Sequence, residues 1–283
     1  MRLLQLLGSC LTGEADIVNN ITSEAILVLP YFPKECNFCK FAKWLMNVRN
    51  KERKVFQHYR FIVYKVLFFL KGSLHDELER RRLAFSGAGN PLTEPALLGI
   101  FRGICAGLSA LHAADPPYAH RDLKPHNVLL TRDLTPVLMD LGSVAPGRIS
   151  VRTGRDAAFL QDTAAERCSM TYRPPELFVV TAGATITEKT DIWSLGCLLY
   201  ALMFYKSPFD AVYERGDSVA LAVQNRTVVF PDDKGSIGFS VQLKDLVLKL
   251  MNSDISFRPS IESVLEEVDE MVGVADQLVV QVT

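Results

Sequence analysis

The chain has 283 residues, with 31 Lys and Arg against 32 Asp and Glu for a formal net charge of −1, 48% hydrophobic residues and 6 Cys. That balance excludes a disordered tail, a fibre and a disulfide-stapled miniprotein, and the length suffices for one large or two ordinary globular domains with a sizeable core. No run reaches the roughly 18 consecutive apolar residues of a membrane span, since the most apolar stretch, Phe61 to Leu70, is short and carries Lys65.

At the N-terminus, Met-Arg-Leu-Leu-Gln-Leu-Leu-Gly has too short an apolar run for a secretory signal, and Arg2 stands where myristoylation needs glycine. No membrane anchor is therefore expected in this chain. The cysteines are mostly solitary, as in reduced proteins. Leu3 to Leu7 and Ala25 to Leu29, the latter ended by Pro30, read as strands. Residues 36–70 differ from everything around them: eight Lys or Arg against one acid, Glu52, and nine of the chain's 26 aromatics, with no Gly, no Pro and no clean period.

Beyond this block, Leu97, Phe101, Ile104, Leu108 and Leu111 recur at alternating spacings of four and three, the stripe of an amphipathic helix. Thr93 is its expected N-cap and Asp115-Pro116-Pro117 its stop. Val128 to Leu130 and Val137 to Met139, separated by a polar turn, predict a β-hairpin. Residues 191–204, 217–224, 241–251 and 261–271 predict helices, so the second half is mainly helical.

The chemistry concentrates in His120-Arg121-Asp122-Leu123-Lys124-Pro125-His126-Asn127 and in Asp140-Leu141-Gly142 after the hairpin. Phosphoryl transfer needs a carboxylate to take the attacking hydroxyl's proton, a divalent cation against the phosphates, and positive charge on the transferred group. Asp122 is the candidate base, Lys124 the candidate cation, and Asn127 with Asp140 the hard oxygen ligands suited to Mg2+. The hairpin would bring Asn127 and Asp140 side by side.

This segment resembles the catalytic loop of the eukaryotic protein kinases, H-R-D-x-K-x-x-N, and Asp140-Leu141-Gly142 resembles their D-F-G. Thr171-Tyr172-Arg173-Pro174-Pro175-Glu176, Asp191-Ile-Trp-Ser-Leu-Gly196 and Arg258-Pro259 follow in the family's order. Pro136 to Ser143, Leu160 to Cys168 and Gly216 to Asn225 are similar to the Numb-associated kinases, particularly an acylated serine/threonine kinase among them. The likeness runs from Gly72 to about Met271 and, more weakly, over residues 3–34.

The resemblance implies an α+β, protein-kinase-like fold: a complete, mainly helical C-lobe with a truncated N-lobe and an insertion at the hinge. The implied parts are an N-lobe remnant over 1–34, a basic aromatic insertion over 35–71 read as either a translated intron or a genuine insertion in a degenerate pseudokinase, the C-lobe over 72–272 and a tail over 273–283. It further implies transfer of the ATP γ-phosphate to a protein serine or threonine, with ATP and Mg2+ as cofactors. In that reading Leu29, Tyr31 and Phe32 line the hinge side of the adenine pocket and Leu129 its floor. Glu176 pairs with Arg258, Asp191 anchors the backbone at His120 and Arg121, and Thr171 hydrogen-bonds the catalytic loop. The family's location implies a cytoplasmic protein peripheral to Golgi or endosomal membranes.

This chain lacks the family's G-x-G-x-x-G and its V-A-I-K lysine before the catalytic loop. The alternative is therefore a catalytically impaired pseudokinase or scaffold. Cys36-Asn-Phe-Cys39 has no second pair to complete a zinc site, and the basic block has no nucleic-acid motif, so no nucleic-acid partner is expected. Cys168 reads as a small buried residue and Ser169 as a residue of open role.

Overall fold

A computed structural model of the chain describes residues 70–85, 92–231 and 238–282. The strands expected near residues 3–7 and 25–29, the hinge residues Leu29, Tyr31 and Phe32, and the basic block as far as residue 69 lie outside the described residues.

The first described element, β1 (Leu70–Ser73), crosses the boundary drawn between residues 71 and 72. It pairs antiparallel with β3 (Val128–Thr131), with Gly72 opposite Leu130 and Ser73 opposite Leu129. Gly72 has φ +142°, a conformation that side chains with a Cβ rarely adopt, and the ladder register shifts beside it. Helix α1 (Leu74–Phe85) starts at a reciprocal cap: the Asp76 carboxylate accepts from the Ser73 N–H at 3.1 Å, and Ser73 Oγ accepts from the Asp76 N–H at 3.1 Å. Leu74 and Leu78 face the core. On the same helix Glu77 is buried yet ionised, because Arg80, Arg81 and Lys71 surround it.

Helix α2 (Glu94–His112) follows the stripe read from the sequence, with Leu97, Phe101, Ile104, Leu108 and Leu111 all buried. Thr93 holds the N-cap backbone conformation, but its side chain makes no cap hydrogen bond. By length and composition α2 could cross a membrane, a property the criterion of uninterrupted apolar residues did not register. Its apolar face is accounted for by packing: it lies against β4 (Pro136–Leu138) and against α8 (Ile261–Val282). Gly103 makes the first contact possible, since a Cβ there would stand 2.5 Å from the Pro136 side chain.

Strands β3 and β4 form the predicted hairpin, Val128 opposite Leu138 and Leu130 opposite Pro136. Two further ladders join distant segments: β2 (Tyr118–Ala119) with β5 (Ala145–Pro146), and β6 (Ile149–Ser150) with β7 (Thr185–Ile186). Between them stands a helix the sequence reading did not anticipate, α3 (Gly154–Arg167). Its start signal was present, a capping box of Thr153 and Asp156, but its buried face is small, Ala157 and Ala164, and large apolar residues carry the periodic signal.

The centre of the domain is α4 (Lys189–Phe204), buried on every side from Thr190 to Met203. Helices α7 (Val241–Leu250) and α2 pack against it, and α5 (Asp210–Glu214) and α6 (Val219–Gln224) follow it in the chain. The predicted helix over 217–224 starts two residues late because the Ser218 hydroxyl caps it at Leu221. The helix predicted over 261–271 continues to Val282, through the stretch expected as a tail, and Gly273 does not break it.

Candidate active site

The loop between β2 and β3 is held from below by α4. Asp191, fully buried in the first turn of α4, accepts from the His120 N–H at 2.7 Å, from the Arg121 N–H at 2.8 Å and from His112 Nε2 at 2.9 Å. Burial alone would raise its pKa, but the His112 hydrogen bond and charge, the nearby His120 and the Arg121 amide hold the carboxyl below the ordinary aspartate value. The anchor has a conformational purpose. Arg121 sits at φ +69°, which costs a residue with a Cβ on the order of 1 kcal/mol or more, and the amide bonds to Asp191 keep it there. His120 adds a cross-link to the strand before Asp140: its Nε2 donates to Met139 O at 3.1 Å, while Nδ1 accepts a longer bond from the Asp122 N–H. Ser143 Oγ donates to His120 O at 2.7 Å.

On this base Asp122 is gripped at both oxygens. Lys124 Nζ donates to Oδ2 at 2.8 Å and Asn127 Nδ2 donates to Oδ2 at 2.9 Å, while the Ser169 N–H donates to Oδ1 at 2.9 Å. Desolvation pushes the carboxyl up, but the Lys124 charge and the hydrogen bonds from Lys124 and Ser169 outweigh it, so Asp122 lies below the ordinary aspartate range. A carboxylate so held is oriented before it is basic. Lys124 also donates to Ser169 Oγ at 2.6 Å.

Thr171, expected to bond the catalytic loop, does not do so: Ser169 makes those bonds. Thr171 lies in the single helical turn Met170–Tyr172, and its backbone carbonyl accepts from Ser207 Oγ at 2.8 Å. The two hydroxyl residues are two apart in the chain, and turn geometry, which no motif records, decides between them.

Asn127 and Asp140 meet through the hairpin. The Met139 N–H donates to Asn127 O at 2.9 Å, which puts Asn127 opposite the residue before Asp140. The Asn127 amide nitrogen is committed to Asp122, to its backbone oxygen at 2.8 Å as well as its carboxylate, so the amide oxygen is the end left for a cation. Asp140 is exposed, left-handed at φ 59°, and accepts one long bond from the Gly142 N–H at 3.4 Å. An amide oxygen and an unsaturated carboxylate flanking neighbouring strands are hard donors that fit Mg2+. Leu129, the expected adenine floor, is buried in β3 opposite Ser73 and Val137.

Farther out, Glu176 and Arg258 form the expected pair, both terminal guanidinium nitrogens 2.7 Å from the carboxylate oxygens. Arg258 is 1% exposed, donates also to Asn252 O and Lys189 O, and lies over the Trp193 ring. The pair ties the segment after Ser169 to the core beneath α4. His112 and Ser169 were not singled out as site residues. The signal for His112 was its place as the basic residue in the last turn of α2.

An oriented carboxylate beside a lysine, with an oxygen-donor pair across a hairpin, is an arrangement suited to phosphoryl transfer. A model of the protein kinase domain family matches residues 23–268, and the chain belongs to that family. Serine/threonine-protein kinase 16 of Rattus norvegicus and of Homo sapiens are each 46% identical over 204 residues, 72% of this chain and 64% of theirs. Serine/threonine-protein kinase ppk13 of Schizosaccharomyces pombe is 30% identical over 318 residues, 95% of this chain and 89% of its own. The matched region thus spans 64% of the mammalian relatives' length.

Proposed function

We propose that this protein is a serine/threonine kinase that transfers the γ-phosphate of ATP to a hydroxyl of a protein substrate. The observation that carries the reading is Asp122, held at both oxygens and flanked by Lys124, with Asn127 and Asp140 across the hairpin. Family membership and the relatives' names support it.

In this reading the acceptor hydroxyl docks on Asp122, which orients its oxygen in line with the phosphorus. Because the carboxylate is held below its ordinary range, it takes the hydroxyl proton late, as the new oxygen–phosphorus bond forms and the bond to the leaving diphosphate breaks. Lys124 neutralises charge developing beside the transferred group. Asn127 and Asp140 would hold Mg2+, which supplies charge neutralisation between the phosphates. Leu129 would floor the adenine site, with Leu29, Tyr31 and Phe32 on its hinge side. The resemblance to the Numb-associated kinases supports a cytoplasmic location peripheral to Golgi or endosomal membranes.

The test is transfer of labelled phosphate from Mg2+–ATP to dephosphorylated casein by the full chain and by Asp122→Asn. The reading expects transfer by the wild type and a loss of about a hundred-fold or more in the variant. Equal turnover by both proteins would sink the assignment of Asp122, and no turnover by the wild type would turn the reading to a scaffold.

A further inference from the structure

The segment from Cys168 to Tyr172 carries Ser169 to the catalytic aspartate, and each of its backbone carbonyls is taken. Cys168 O accepts from Arg173 Nη2 at 2.7 Å, Ser169 O from the Tyr172 N–H at 3.0 Å and Met170 O from the Arg173 N–H at 3.3 Å. The last two carbonyls are claimed from outside the segment: Thr171 O by Ser207 Oγ and Tyr172 O by Ser194 Oγ, both at 2.8 Å. A hydroxyl has one proton to donate, so these bonds are exclusive choices.

Ser194 lies in the middle of α4, where a serine ordinarily bonds back to the carbonyl four residues earlier. Here that carbonyl, Thr190 O, is 3.5 Å away, and the proton goes across to Tyr172 instead. Ser207 precedes α5 in a turn that fixes its rotamer: its N–H donates to Asp210 Oδ2 at 2.7 Å and its Oγ accepts from the Phe209 N–H at 3.1 Å. With its acceptor side used locally, the hydroxyl proton points at Thr171 O. Both serines are buried, at 4% and 3% exposure, so no water replaces either hydroxyl at low cost.

We infer that Ser194 and Ser207 are positioning residues for the acceptor side of the site. By holding two consecutive carbonyls against α4 and the turn before α5, they set where the Ser169 amide and hydroxyl meet Asp122 and Lys124. Neither serine hydrogen-bonds Asn127 or Asp140, so the metal side is built independently of them. The catalytic consequence rests on the kinase reading; the geometric one does not.

The experiment compares the wild-type chain, Ser194→Ala, Ser207→Ala and Ser207→Thr by hydrogen exchange and by steady-state kinetics with dephosphorylated casein. Losing one net hydrogen bond predicts about five-fold faster exchange in the 168–173 peptide of each alanine variant, with peptides of α4 unchanged and Ser207→Thr like the wild type. The KM for casein rises by a similar factor while the KM for ATP stays put. Unchanged exchange at 168–173, or a casein KM and ATP KM that move together, overturns the positioning role. If the exchange behaves as expected and the wild type transfers no phosphate, the serine clamp stands and the kinase reading falls.

Discussion

Two aspartates of the site are built in opposite ways. Asp122 is buried, depressed in pKa and hydrogen-bonded at both oxygens by Lys124, Asn127 and Ser169. Asp140 is exposed on a left-handed residue and accepts one long bond. The contrast teaches which half of the chemistry the polypeptide completes alone. On the proposed reading Asp122 belongs to the acceptor side and is preassembled, because a base must be aimed before the hydroxyl arrives. On the same reading Asp140 belongs to the metal side and is left unsaturated, because a carboxylate already committed to protein donors has no lone pairs for a cation.

The largest effect should come from breaking the preassembled half at its root. Asp191→Ala removes the acceptor for His112 and for two loop amides, and should cost about 3–5 kcal/mol in denaturant unfolding along with all phosphate transfer. A loss under about 1 kcal/mol would mean the loop holds itself. Asp140→Asn addresses the open half: Mg2+–ATP at roughly 100 times its dissociation constant should stabilise the wild type by about 2.7 kcal/mol in thermal unfolding and leave the variant almost unmoved. An equal shift in both proteins would remove Asp140 from the metal side.

Arg258→Lys sharpens the comparison as a remote control. It replaces a two-pronged pairing with Glu176 by a single ammonium and should cost about 2 kcal/mol of stability, with the Mg2+–ATP shift preserved. A vanished shift would show the two halves to be coupled through the core. The smallest effect is the pH response at Glu77, where burial pushes the carboxyl up but Arg80, Arg81 and Lys71 bring it down to about 2. A folded pKa below the unfolded value means stability is fully present above about 4.5 and is lost as pH falls toward about 2. In Glu77→Gln the acid limb of the stability curve should be shallower over that window; an identical limb would show that the three cations do not set its ionisation.

What could be read from the chain alone depended on whether a residue's partner was implied by an ordered motif. Asp122, Asn127, Asp140, Asp191 and the Glu176–Arg258 pair were legible because each belongs to a spaced pattern whose chemistry requires that residue type. The α2 stripe was legible because large apolar residues recur at the helical period. Helix α3 was not, since it buries two alanines and sits on a small separate cluster with Val151, Leu177 and Ile186. Residue type does not separate Ser169 from Thr171, both hydroxyl residues of one short segment, and only the folded structure puts the Lys124 contact on Ser169.

The sequence by itself therefore determined the family, the mainly helical second half and the identities of the chemical groups, through periodicity and residue types that few alternatives satisfy. The tertiary structure alone decided which hydroxyl meets Lys124, that Ser194 and Ser207 bond across to Thr171 and Tyr172, and that Arg121 rests in a left-handed conformation on Asp191. Those outcomes depend on where one-proton donors and buried carbonyls come to lie after packing. Burial makes each unpaired carbonyl costly, and the chain settles into the arrangement that leaves none of those between Cys168 and Tyr172 without a donor.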